Sequence, residues 1–159
     1  MVNFKEDEQL KTLNHSCAHL MAQAIKHLYP QAKFWVGPVV AEGFYYDVDL
    51  GDDVIRGEED LAAIEKEMKK IVKEDLEITR FTKPRDEAIA YFKEKDEPYK
   101  VELIEDLPEG EEISFYSQGD WVDLCAGPHL MSTKGVKAFK LLSSSGAYWR
   151  GSEKNKMLT

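Results

Sequence analysis

Between Glu8 and Leu28 the chain carries a run that suits one kind of element. Leu13, Cys17, Leu20, Ala24 and Leu28 recur three or four residues apart, which lines them along one stripe of an α-helix. His15 and His19 are also four apart and stack on one face. At about 100° per residue, that face points roughly away from the apolar stripe. Such a helix needs a core on one side. If its histidines are to act, it also needs a covering layer on the other. Tyr29-Pro30 ends it, because the residue before a proline avoids the helical region. His27 lies at the edge of the stripe and is assigned no role.

The rest of the chain mixes both periodicities. Phe34–Val36 reads as a short strand, followed by a turn at Gly37-Pro38. Gly43–Leu50 alternates as one half-buried strand, with Phe44, Tyr46, Val48 and Leu50 inward and Tyr45, Asp47 and Asp49 outward. A second helix is expected over Glu58–Lys73, with Leu61, Ile64, Met68, Ile71 and Val72 inward. Its acidic start and basic end suit the helix dipole. Strands are expected near Leu76–Phe81 and Tyr99–Ile104, and a third helix over Pro84–Lys93. Ile113–Ser117 and Trp121–Leu124 read as a hairpin around Gln118-Gly119-Asp120. Val136–Leu142 and Ala147–Arg150 complete the strands. Helices and strands do not alternate strictly. The expected class is therefore α+β, with antiparallel sheets packed around the long N-terminal helix. Residues 1–159 form one domain, with 56–104 a helix-rich insertion and a cleft between the parts.

Composition narrows the function. No apolar run approaches the ~20 residues of a membrane helix, and the polar, acidic N-terminus is no signal peptide. The expectation is a cytoplasmic chain with no membrane partner and with Cys17 and Cys125 reduced. A net charge of −9 argues against general nucleic-acid binding. Yet residues 132–159 carry +5, leaving −14 on the rest, so a basic C-terminal segment could touch phosphates.

Two motifs carry the chemistry, His15-x-x-x-His19 and Cys125-x-x-x-His129. Gly127-Pro128 forces a turn, so Cys125 and His129 project from a loop after a strand, with Asp123 on the same strand face as Cys125. Three imidazoles and a thiol make a possible tetrahedral zinc set. The same groups can position or deprotonate a water without metal. Spacing leaves both open.

His15-Ser-Cys-Ala-His19, Gly43-Phe-Tyr-Tyr-Asp47, Tyr99-Lys100, Asp123-Leu-Cys-Ala-Gly-Pro-His129 and Gly146-Ala-Tyr-Trp-Arg-Gly151 occur in that order. Over residues 10–159 the chain resembles the editing domain of bacterial threonyl-tRNA synthetases. It resembles the editing domain of alanyl-tRNA synthetases more weakly. The resemblance implies hydrolytic deacylation of mischarged Ser-tRNA(Thr). The partners would be the serine-carrying acceptor end of tRNA(Thr) and the remainder of an ATP-using synthetase. The catalytic positions it implies are His15, His19, Lys100, Asp123, Cys125 and His129, with Tyr46 binding substrate. His15 and Lys100 would orient or activate the attacking water and the terminal adenosine hydroxyls. Asp123 would hold the seryl amine or hydroxyl. No cofactor is expected for editing. If zinc is present, it would sit on His15, His19, Cys125 and His129, as the alanine-type relatives suggest. Ala126 stands where the family commonly has arginine. The chain reads as a piece excised from a longer enzyme. The alternatives are a free-standing zinc-dependent trans-editing hydrolase and a non-catalytic acceptor-end binding module in which Tyr45, Tyr46, Tyr148 and Trp149 stack a base.

Overall fold

The computed structural model describes residues 6–41, 43–51, 57–110, 112–125, 129–136, 141, 147–148 and 157–159. Helix α1 (Glu8–Leu28) keeps the expected bounds. Asp7 caps it, its carboxylate accepting the Leu10 N–H at 3.0 Å. Cys17, Leu20 and Ala24 are buried together with Ala18, Ala22 and Ile25. Leu28, expected to close the stripe, is instead 40% exposed, because the helix end projects past its neighbours. Helix α2 (Gly57–Lys73) lays Ile64, Met68 and Ile71 against α1.

A ribbon follows α1. Strands β1 (Lys33–Phe34) and β4 (Val48–Asp49) pair antiparallel, as do β2 (Val39–Val40) and β3 (Gly43–Phe44). The single strand expected over Gly43–Leu50 is therefore split. Pro38 has no N–H for the ladder, so Tyr45–Asp47 bond irregularly: Tyr45 N–H to Pro38 O, and Asp47 N–H to Val36 O. Tyr46 folds its ring directly over Gly37, where an added Cβ would lie 2.3 Å from the ring. Tyr46, Val48 and Leu50 are buried as expected. Asp49, expected to face solvent, is also buried, because the Tyr99 hydroxyl donates to it at 2.7 Å.

A three-stranded antiparallel sheet joins β5 (Ile78–Thr82), β6 (Ser114–Gln118) and β7 (Trp121–Leu124) in that order. The β6–β7 hairpin closes through Gly119-Asp120, with Gly119 at φ 61°. Helix α3 (Arg85–Glu94) starts just after Pro84.

Tyr99–Ile104 is not a strand. It lies inside helix α4 (Pro98–Asp106). Its β-branched and aromatic content favours a strand, but Pro98 presets the first helical turn. Val101 and Ile104, three apart, then bury one helical face with Ala88 and Phe92 of α3 and Phe115 of β6. This correction sets the direction of Lys100, the residue between Tyr99 and Val101.

A single 3-10 turn at Thr133–Gly135 packs on α2. Strands β8 (Ala147–Tyr148) and β9 (Met157–Leu158) pair antiparallel, and Thr159 exchanges two 2.8 Å backbone bonds with Val48. Most of the strand expected over Val136–Leu142, together with Trp149, Arg150 and most of the basic C-terminal lysines, lies outside the described residues. The architecture is α+β, with small antiparallel sheets around a long N-terminal helix. Among the described residues no helix is long and apolar enough to cross a membrane.

Gly37→Ala tests the ribbon. The new methyl would strike the buried Tyr46 ring, and the expected loss is about 1–3 kcal/mol in urea denaturation. A loss below about 0.5 kcal/mol, the range of a neutral surface change, would contradict this close contact.

Candidate active site

Four parts of the chain converge on the polar face of α1. The helix supplies His15, Ser16 and His19. The broken ribbon supplies Tyr46, and α4 supplies Lys100. Strand β7 and the segment after it supply Asp123, Cys125 and His129. Together they are the covering layer that the paired histidines require.

Asp123 lies at the centre and is 2% exposed. Oδ1 accepts from Lys100 Nζ at 2.6 Å and from the Leu124 N–H at 2.8 Å. Oδ2 accepts from Tyr46 Oη at 2.5 Å and faces His19 Nε2 at 3.2 Å. Lys100 is equally well supplied. Besides Asp123, it donates to Tyr46 Oη at 2.8 Å and to Trp35 O at 2.7 Å, so each ammonium hydrogen has an acceptor. Burial alone would raise the Asp123 carboxyl, but Lys100 and His19 hold it well below the usual carboxylate range. Burial opposes a charged His19. Its bonds to Asp123 and Cys125 and their charges win, raising its pKa to about 9. Burial and the Asp123 charge push Tyr46 well above its ordinary range, so its hydroxyl keeps its proton.

Beside this hub stand three half-buried groups, His15, Cys125 and His129. The His129 ring stacks between His15 (centroids 4.9 Å) and His19 (4.1 Å), with Tyr116 edge-on at 4.5 Å. Its Nε2 lies 3.1 Å from Cys125 Sγ and its Nδ1 3.2 Å from Ser16 Oγ. Burial, then the neighbouring His19 and His15, lowers its pKa to about 2, so it stays neutral. The two motifs thus yield imidazoles in opposite states, His19 charged and His129 neutral. Such a division suits acid–base work.

His15, Cys125 and His129 each offer a ligand atom within 4.8 Å of the others. Two imidazoles and a thiol form an open zinc donor set. The fourth expected donor, His19, is not in the set, because its Nε2 faces Asp123.

All seven residues singled out in the sequence fall in one connected cluster. Ser16, Tyr116 and Glu97 were not singled out. Ser16 sits inside the first motif and Tyr116 opposite Asp123 across the hairpin, so both were within reach of a closer reading. Glu97 gives no local signal. It precedes α4, and its Oε2 accepts the Phe34 N–H at 2.9 Å, while Lys26 lies 3.8 Å from Oε1. Two tethers therefore join the start of α4 to consecutive residues of the ribbon, Glu97 to Phe34 and Lys100 to Trp35.

Residues 113–159 match the family described as the threonyl and alanyl tRNA synthetase second additional domain. Over 158 residues the chain is 62% identical to a threonine–tRNA ligase of Clostridium tetani, covering 99% of this chain and 24% of that protein. The corresponding identities are 58% for the threonine–tRNA ligase of Acetivibrio thermocellus and 59% for that of Carboxydothermus hydrogenoformans, each over 99% of this chain and 25% of the relative. The chain thus spans about a quarter of the length of these curated relatives. The resemblance read from the motifs is borne out.

Glu97 supplies a pH test. Burial pushes its carboxyl from 4.5 up to about 7 against the pull of the Phe34 N–H, Lys26 and Lys100. The folded chain then holds this proton more tightly than the unfolded chain, so stability is fullest below the unfolded pKa and falls as pH rises through about 7. Glu97→Gln keeps an acceptor for Phe34 without the charge. Its stability relative to wild type should rise between acid and mildly basic pH by roughly 2–3 kcal/mol in denaturant titrations. A difference that does not change with pH would contradict the buried, proton-holding carboxyl.

Proposed function

From its relationship to one quarter of the threonine–tRNA ligases, we propose that this chain is an editing unit that hydrolyses Ser-tRNA(Thr) to serine and free tRNA. A synthesis site that recognises the threonine hydroxyl also accepts serine. The missing methyl is worth only ~1–3 kcal/mol of discrimination, so a second, smaller site must remove the error. The observation that carries the reading is a saturated, buried charge hub (Asp123, Lys100, His19, Tyr46) directly against the half-buried His15, Cys125 and His129. A small polar ester needs such surroundings: fixed hydrogen-bonding groups for an amine or hydroxyl, and an imidazole for a water.

In this mechanism His15 orients and deprotonates the attacking water beside the stacked imidazoles. Lys100 and Tyr46 present fixed dipoles to the terminal adenosine hydroxyls and to charge that develops on the ester carbonyl. Asp123 acts mainly by holding His19, Tyr46 and Lys100, since both its oxygens are already occupied by them and by Leu124. Cys125 and His129 shape the pocket that admits serine. The partners are the acceptor end of tRNA(Thr) and the remainder of a synthetase, in the cytoplasm.

A second reading rests on the three clustered donors. His15, Cys125 and His129 would hold a zinc ion, which supplies Lewis-acid activation of water when bound. The steps above use only the chain's own groups. Metal analysis before and after chelation, with deacylation followed in parallel, separates the two readings.

The direct assay follows Ser-tRNA(Thr) and Thr-tRNA(Thr) side by side. The serine ester should be lost at least roughly tenfold faster, the lower end of one-methyl discrimination. His15→Ala and Lys100→Ala should each slow it by about 100-fold or more. Equal rates for the two esters would remove the sieve. Wild-type rates in both variants would remove these roles.

A further inference from the structure

Ser16 lies between the two motif histidines and is 2% exposed. Thr12 and Asn14, on the same helix, turn their polar groups back to the carbonyls of Glu8 and Leu10 (2.9 and 2.8 Å), as such residues commonly do. Ser16 instead reaches across to the loop after β7. Its Oγ lies 2.9 Å from the Leu130 backbone N–H and 3.2 Å from His129 Nδ1.

Hydrogen counting decides what these contacts are. The Leu130 N–H can only donate. A hydroxyl has one hydrogen to give and two lone pairs to accept with. If His129 carried its proton on Nδ1, both neighbours would donate to Ser16 Oγ. The serine hydrogen would then have neither of them as acceptor. With Nδ1 bare, every hydrogen in the chain of contacts is used: Leu130 N–H donates to Ser16 Oγ, and Ser16 Oγ–H donates to His129 Nδ1. A neutral ring must then hold its proton on Nε2, the atom 3.1 Å from Cys125 Sγ. The stack with His15 and His19 and the edge contact from Tyr116 fix the plane of that ring.

We propose that Ser16 is a positioning residue that locks His129 in its Nε2–H tautomer, making the ring a fixed hydrogen-bond donor to an oxygen of the bound ester rather than a base. The tautomer follows from the contacts alone. The role toward the ester rests on the hydrolysis reading above. The proposal also separates the two exposed-side imidazoles: His129 gives a hydrogen bond, and only His15 is left to take a proton from water. In the absence of substrate the Nε2–H rests against the Cys125 sulfur, a weak acceptor that an ester oxygen can replace without a large loss.

The experiment is nitrogen-15 NMR of the histidine rings in wild type, Ser16→Ala and Ser16→Thr, with deacylation kinetics on Ser-tRNA(Thr) for the same proteins. In wild type, His129 should show a bare Nδ1 and a protonated Nε2 from about pH 5 to about pH 9, across the range where an ordinary histidine changes state. Ser16→Ala should give a mixture of tautomers. Ser16→Thr, which keeps the hydroxyl, should retain the wild-type form. Ser16→Ala should lower kcat roughly tenfold or more, because a misdirected donor loses transition-state contact, while KM moves less than about threefold. Ser16→Thr should stay within about threefold of wild type. A wild-type ring protonated on Nδ1, or an unchanged tautomer in Ser16→Ala, overturns the lock. A mixed tautomer with unchanged kcat overturns the donor role. If Ser16→Ala does not fold, the wild-type and Ser16→Thr spectra still decide the tautomer. If wild type leaves the ester intact, the hydrolysis reading fails separately from the tautomer.

Discussion

One buried carboxylate organises this molecule's polar interior. Asp123 sits on a short strand, nearly sealed from water, yet it stays ionised because Lys100 and His19 approach it from two helices. An isolated charge so placed would cost several kcal/mol, and a group in that position would neutralise instead. Here the Tyr46 hydroxyl and the Leu124 N–H complete the shell. The arrangement joins α1, the ribbon, α4 and β7 at one point. Moving any one of them strands a charge or a hydroxyl in the interior, so the hub specifies the packing as well as the chemistry.

The neighbouring imidazoles inherit their states from it. Asp123 makes His19 a cation, and that cation, stacked 4.1 Å away, helps keep His129 neutral. Two histidines from two motifs thus differ by a full charge across one ring stack. His15, stacked on the far side of His129, faces the more open part of the cluster. The division lets one site hold a fixed cation, a neutral donor and a proton acceptor using a single side-chain type.

Much of this was legible in the chain. Helix α1 could be bounded because its apolar period, its proline stop and its polar face all agree. The β6–β7 hairpin could be placed because Gly119 marks the turn between two alternating runs. Elsewhere local preference lost to packing. Tyr99–Ile104 has strand-forming residues, but Pro98 and the apolar pair Val101 and Ile104 made it a helix. Gly43–Leu50 alternates well, but the Tyr46 ring lying on Gly37 breaks the ladder. Asp49 looked like a surface acid until Tyr99, fifty residues on, bonded it. The seven site residues could be named because the motifs carry them. How they connect could not be read, since it depends on Lys100 meeting Asp123 and Ser16 meeting His129 across long stretches of chain.

The most direct test of the organising role of Asp123 is a double-mutant cycle with Asp123→Asn and Lys100→Met, read by equilibrium unfolding. Asp123→Asn alone should cost about 3–5 kcal/mol, because it leaves buried cations without their counter-charge. Adding Lys100→Met should cost clearly less than its single effect, with a coupling of at least about 1 kcal/mol. Additive losses within about 0.5 kcal/mol would mean that the two groups do not depend on each other, and that the carboxylate is not the point on which the site is built.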